Sequence, residues 1–150
     1  MTTAAISETR HRNRLGRFIL ISNIGFALLI VVYFLLGGFD TDEFTELMKI
    51  LVPIKSVYLT AFIKYVIANK NLPPQGEGEK ALLNPLYATT SFIVIMTHIS
   101  SLVICTSIYA LFNAMMFDVL ITVIIFIESL FGVYVGLFMA SMFKVEEKEG

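Results

Sequence analysis

Two opposite charges, Lys55 and Glu128, sit deep in apolar stretches of this chain. A lysine and a glutamate in such surroundings suit ion pairing, proton transfer or the passage of a charged solute. Lys55 belongs to the segment LVPIKSVYLTAFIKYVIANK, residues 51–70, which also holds Pro53, Ser56, Thr60 and Lys64. Glu128 belongs to a block that is otherwise uncharged for more than 20 residues. His98 is a third ionisable group, near the centre of a block rich in hydroxyls.

These residues need elements to hold them. The chain has 150 residues, of which 57% are hydrophobic and 15% charged. A soluble domain carries about 25% charged residues, and here the apolar excess is concentrated in four long blocks. That pattern predicts an all-α integral membrane protein with spans at about 18–36, 43–68, 86–112 and 119–143. The blocks lack the period-two alternation of membrane strands. Residues 1–17 form a basic arm and residues 144–150 a tail. Gly37 and Gly38 end the first helix. Asp40 and Glu43 have capping-box spacing ahead of the second. Asn84 and Pro85 open the third as N-cap and first helical residue. Asp118 is a candidate N-cap for the fourth. The first block is read as a retained helix, because no small-x-small cleavage signal follows it.

Charge sets an expected orientation. Arg10, Arg12, Arg14 and Arg17 precede the first span, Lys70 and Lys80 lie between the second and third, and Lys144 and Lys148 follow the fourth. The opposite loops, GGFDTDE and FNAMMFD, contain no Lys or Arg. The positive-inside rule then places both termini in the cytoplasm of a cell membrane, plasma or inner.

Depth follows from the 1.5 Å rise per residue. Lys55 lies about 18 Å along its helix from Glu43, and Glu128 about 15 Å along its own from Asp118. Both helices run inward from the same face, so the two charges are expected at one level. Each costs at least about 2.5 to 3.5 kcal/mol alone at the membrane centre. We therefore expect a Lys55–Glu128 pair. Gly132, Gly136 and Ala140 follow Glu128 at intervals of four and form a small-residue packing stripe. On the second helix Lys49, Pro53, Ser56, Thr60 and Lys64 form a polar stripe roughly 140° from Lys55. Pro53 removes one backbone donor and is expected to kink the helix. Lys49 and Lys64 also fit a plainer role as snorkelling side chains.

On the third helix Ser91, His98, Ser101 and Cys105 share a broad face. His98 and Ser101 are candidates to line a passage or relay protons. The plainer reading makes His98 a satisfied buried histidine and ties the hydroxyls to their own helix. The tyrosines and phenylalanines read as packing or interface anchors.

Several classes are disfavoured. Net charge is -1, so no nucleic-acid contact is expected. The single Cys105 cannot form an internal disulfide, and no metal-ligand spacing, cofactor motif or catalytic motif occurs. The chain is accordingly read as a non-enzyme without cofactor or metal. Its leading functional reading is a homo-oligomeric channel, pore or transporter subunit in the lipid bilayer. The alternative is a membrane anchor or sensor subunit. It would recruit a cytosolic protein through the N-terminal arm, the 69–84 loop or the KVEEKEG tail. In general shape alone that alternative is similar to small membrane subunits of bacterial defence complexes.

Overall fold

The computed structural model describes residues 8–68 and 85–142, with a few side chains near the helix ends left out. Among the described residues the protein is entirely helical: α1 is Glu8–Leu35, α2 Thr41–Ala68, α3 Pro85–Phe112 and α4 Phe117–Met142. Three segments among the described residues are long and apolar enough to cross a membrane, namely Asn13–Leu35, Leu86–Phe112 and Phe117–Tyr134. The protein is a membrane protein on that ground. α2 has the same 28-residue length as α1 and α3, but it carries Asp42, Glu43, Glu46, Lys49, Lys55 and Lys64.

The sequence signals act locally. Gly37 adopts φ +79°, the left-handed position that ends a helix without a Cβ penalty. Gly38 N–H donates to the Tyr33 carbonyl at 2.8 Å and Gly37 N–H to the Phe34 carbonyl at 3.0 Å. These two bonds make a Schellman cap. A Cβ on Gly38 would lie 2.8 Å from the Ala110 carbonyl oxygen, so glycine is also needed for this close approach to α3. Just beyond this turn Glu43 N–H donates to Asp40 Oδ1 at 2.8 Å, and Asp40 N–H donates to Glu43 Oε2 at 3.0 Å. The pair is a reciprocal capping box with Asp at its first position. α3 starts at Pro85, where the missing N–H costs nothing; Asn84 lies outside the described residues. α3 ends on Asn113 at φ 47°, its N–H donating to the Tyr109 carbonyl at 2.9 Å.

Two helix starts differ from the sequence reading. α1 begins at Glu8, so the arginines from Arg10 to Arg17 are part of the helix. Arginine is a good helix former, and no proline separates the arm from the span. α4 begins at Phe117, and Leu120 N–H returns to the Met116 carbonyl at 3.1 Å. Asp118 is therefore inside the first turn, where its charge meets the positive end of the helix, and it is not the N-cap. α2 runs unbroken through Pro53.

Each helix packs mainly on two others: α1 on α2 and α3, and α4 on α2 and α3. Consecutive α2 and α3 thus stand diagonally across the bundle. The core between the hairpin turns and mid-bundle holds Phe26, Ile30, Leu47, Leu102, Leu120 and Ile124. A second cluster, of Leu15, Tyr58, Ile95 and Phe131, continues it toward the other end.

Candidate functional site

Where the two clusters meet, α2, α3 and α4 bring four ionisable side chains together. Lys55 and Tyr58 are three residues apart on α2 and so share a face. His98 comes from the middle of α3, and Glu128 from the middle of α4. Lys55 Nζ donates to Glu128 Oε1 in a direct ion pair. Tyr58 hydroxyl donates to Glu128 Oε2 at 3.4 Å. His98 Nε2 lies 3.7 Å from Glu128 Oε1, on the opposite side of the bundle from α2. Glu128 is only 3% exposed and His98 5%, while the Lys55 side chain retains 15%.

Aromatic rings enclose the cations. Lys55 Nζ lies 5.7 Å from the centroids of both Phe26 and Tyr58, within cation–π range. The His98 ring stacks on Phe131 at 3.6 Å between centroids and 12° between planes. Phe131 in turn meets Tyr58 edge-on at 5.7 Å. Phe131 follows Glu128 by three residues, so one face of α4 supplies both the anion and the ring.

Neither nitrogen of His98 has a hydrogen-bond partner among the described residues. His98 is therefore buried, as the plainer reading holds, but not satisfied by its neighbours. Thr106 Oγ1 and Asn23 Oδ1 share this state, although Asn23 Nδ2 donates to the Ile19 carbonyl at 2.8 Å. Other hydroxyls are internally bonded. Ser91 donates to the Tyr87 carbonyl of its own helix. Ser107 donates to the Val103 carbonyl at 2.6 Å and so accepts from Tyr33 hydroxyl at 2.8 Å.

The α2 stripe and the α3 face, alternative candidates to line a passage, point in different directions. Lys49, Pro53, Ser56 and Thr60 are exposed on the outside of the bundle. His98 is in the core and Ser101 is half-buried. The structure does not bring them together, because α2 and α3 are diagonal and each turns its own side inward. Ser56 and Thr60 make no hydrogen bond among the described residues, whereas Thr122 and Ser129 donate to their own helix at 2.8 and 2.7 Å. Gly132 faces α2: a Cβ there would lie 3.4 Å from Tyr58 hydroxyl. Arg14 and Arg17 are exposed. The side chains of Arg10, Arg12, Lys64, Gly136 and Ala140 lie outside the described residues, as do the 69–84 loop and the tail.

Sequence reasoning missed Tyr58 and Phe131 as members of this site. Their i+3 spacing from Lys55 and Glu128 was the available signal. It also missed a second tyrosine–glutamate contact: Tyr109 hydroxyl donates to Glu43 Oε1 at the hairpin end of the bundle. No group of three or more metal-ligating side chains occurs among the described residues. No family model matches the chain, and no curated protein or solved structure is significantly similar to it.

Proposed function

We propose that this protein is a subunit of a homo-oligomeric membrane channel, pore or transporter that crosses the bilayer four times with both termini in the cytoplasm. One observation carries the reading: α2 is polar on two sides. Lys55 turns inward to Glu128, while Lys49, Pro53, Ser56 and Thr60 lie on the outer surface. Hydrocarbon does not hydrogen-bond, so a polar stripe and a proline-freed carbonyl at membrane depth need water or protein. A second copy of the chain, or a water-filled axis between copies, supplies either. The interior of a single bundle is filled by Leu47, Leu102, Leu120, Ile124, Phe26 and Phe131. The passage therefore belongs between protomers.

The inward lysine supports the same picture. Pairing with Glu128 lets α2 lie at bilayer depth despite its charges, and the arginine-rich start of α1 fits a cytoplasmic end. Orientation is tested by thiol labelling in a Cys105→Ser background: Asn71→Cys and Gly150→Cys label only from the cytoplasmic side, Asp42→Cys only from the other. Outside labelling at residue 71 overturns the four-span arrangement.

Function is tested with purified protein in liposomes. Ion or solute flux is expected, together with modification of Ser56→Cys and Thr60→Cys by small water-soluble thiol reagents. Absence of both favours a membrane anchor that recruits a cytosolic protein.

A further inference from the structure

One carboxylate lies between two potential cations in the bundle interior. Lys55 and His98 approach the same oxygen of Glu128 from different helices. Each has an aromatic seat, Phe26 and Tyr58 for Lys55 and Phe131 for His98. An imidazolium stacked on a ring is stabilised as an ammonium over one is. Yet a single carboxylate neutralises only one positive charge. His98 is 5% exposed and neither ring nitrogen has a hydrogen-bond partner among the described residues, a costly state for a neutral imidazole that serves only to pack.

We infer that Lys55, Glu128 and His98 form a proton-exchange site in which Glu128 pairs alternately with the lysine and the histidine. With Lys55 an ammonium, Glu128 a carboxylate and His98 neutral, the cluster has no net charge. An incoming proton adds to the free ring nitrogen of His98, and the imidazolium takes over Glu128. One Lys55 N–H bond then breaks, releasing a proton and leaving a neutral amine. The cluster is again neutral. The proton on His98 passes through the Glu128 carboxylate to Lys55 Nζ, which restores the start. One proton enters and one leaves, with no change of oxidation state.

The surroundings contain little that competes. α1 offers Phe26, which does not titrate. α2 offers Lys55 and Tyr58, α3 offers His98, and α4 offers Glu128 beside Phe131. Tyr58 hydroxyl already donates to the second oxygen of Glu128 and holds the carboxylate while its partner changes. This inference rests on the transport reading only for its use, since it names the proton as the ion taken. The chemistry of the site stands apart from whether the assembly conducts.

The test is direct titration of the full-length purified protein in lipid. Nitrogen NMR of labelled histidines reports His98, with His11→Gln assigning the other signal, and infrared difference spectra report the carboxyl groups. His98 is expected to gain a proton in step with a shift of the carboxylate bands that Glu128→Gln abolishes. Lys55→Met removes the competing cation, so the proton affinity of His98 is expected to rise roughly tenfold or more. A His98 that stays neutral throughout in both proteins, or that titrates identically with and without Lys55, overturns the site. Proton flux in liposomes adds a second arm. Flux lost in His98→Gln, with helix content intact, supports the exchange site, and undiminished flux overturns it. Coupled titration without any flux in the parent protein upholds the site and rejects the transport reading.

Discussion

Two glutamates, Glu43 and Glu128, each accept a hydrogen bond from a tyrosine on another helix, and the molecule treats them in opposite ways. Glu43 is at the start of α2. It takes Tyr109 hydroxyl on one oxygen and the Asp40 N–H on the other, while its own N–H returns to Asp40. Backbone groups and the positive end of the helix are fixed features that no side-chain change removes. Glu128 sits in mid-helix, where every nearby backbone N–H is already committed to the helix. Its charge is balanced by Lys55 alone, with Tyr58 at a longer 3.4 Å. A carboxylate at a helix end is therefore robust, whereas one at mid-helix depends on single partners and responds to their protonation.

The largest expected effect follows from that dependence. Lys55→Met or Glu128→Gln alone strands a buried charge, and such losses run to about 3 to 5 kcal/mol. Thermal unfolding in detergent should show both singles strongly destabilised and the Lys55→Met/Glu128→Gln double recovered toward the parent. Additive losses in the double would mean that the two charges do not stabilise each other.

A steric contrast comes next. Gly38→Ala places a Cβ against the Ala110 carbonyl, where backbone must move, and an overpacking cost of about 1 to 3 kcal/mol is expected. Gly132→Ala meets only Tyr58 hydroxyl at ordinary contact distance and is expected to be nearly neutral. Equal melting temperatures for the two variants would remove the close approach of the first hairpin to α3.

At the hairpin end, Asp40→Ala removes a cap and is expected to cost about 0.5 to 2 kcal/mol. Tyr109→Phe removes one hydrogen bond to a charged acceptor, which costs about 1.5 to 3 kcal/mol when shielded and less at a partly exposed glutamate such as Glu43. Either loss equalling that of Glu128→Gln would erase the distinction between the two glutamates.

How far the sequence speaks depends on how local the signal is. The Gly37–Gly38 stop, the Asp40–Glu43 box and Pro85 at the start of α3 are each decided within a turn of chain. The structure shows all three. The depth of Lys55 and of Glu128 needs only the helical rise and two boundaries, and the structure has these residues in contact. Tyr58, Phe131 and the orientation of His98 depend on which helices are neighbours and which are diagonal. Periodicity defines faces on each helix but not the order of helices around the bundle, so it does not choose between the α2 stripe and the His98 face as a lining. Asp118 shows a smaller limit: its residue type suits an N-cap, but the backbone closes one turn earlier on Met116.

The smallest expected effect concerns His11, outside the candidate spans. Burial, and then the nearby positive charge of Arg14, lower its proton affinity below the ordinary value of about 6.5. A histidine lowered in the folded state favours folding above its unfolded value. That contribution fades as the pH falls through the unfolded value toward the folded one. NMR titration should place its midpoint below that of a free histidine, and a midpoint at or above it would contradict the packing of the α1 start.

The separation of Lys55 and Glu128 by 73 residues also has a temporal side. At a synthesis rate of about 5 to 20 residues per second, the lysine emerges roughly 4 to 15 s before its counterion. During that interval α2 carries an unneutralised charge, whose insertion cost favours a provisional seat at the lipid–water boundary. In the proposed four-span arrangement, completion of α4 is expected to draw α2 to full depth. A nascent chain halted at Phe117 should thus leave Val57→Cys open to aqueous thiol reagents in a Cys105→Ser background, and the finished chain should protect it. A chain with a truncated α4 is accordingly expected to leave α2 at the lipid–water boundary.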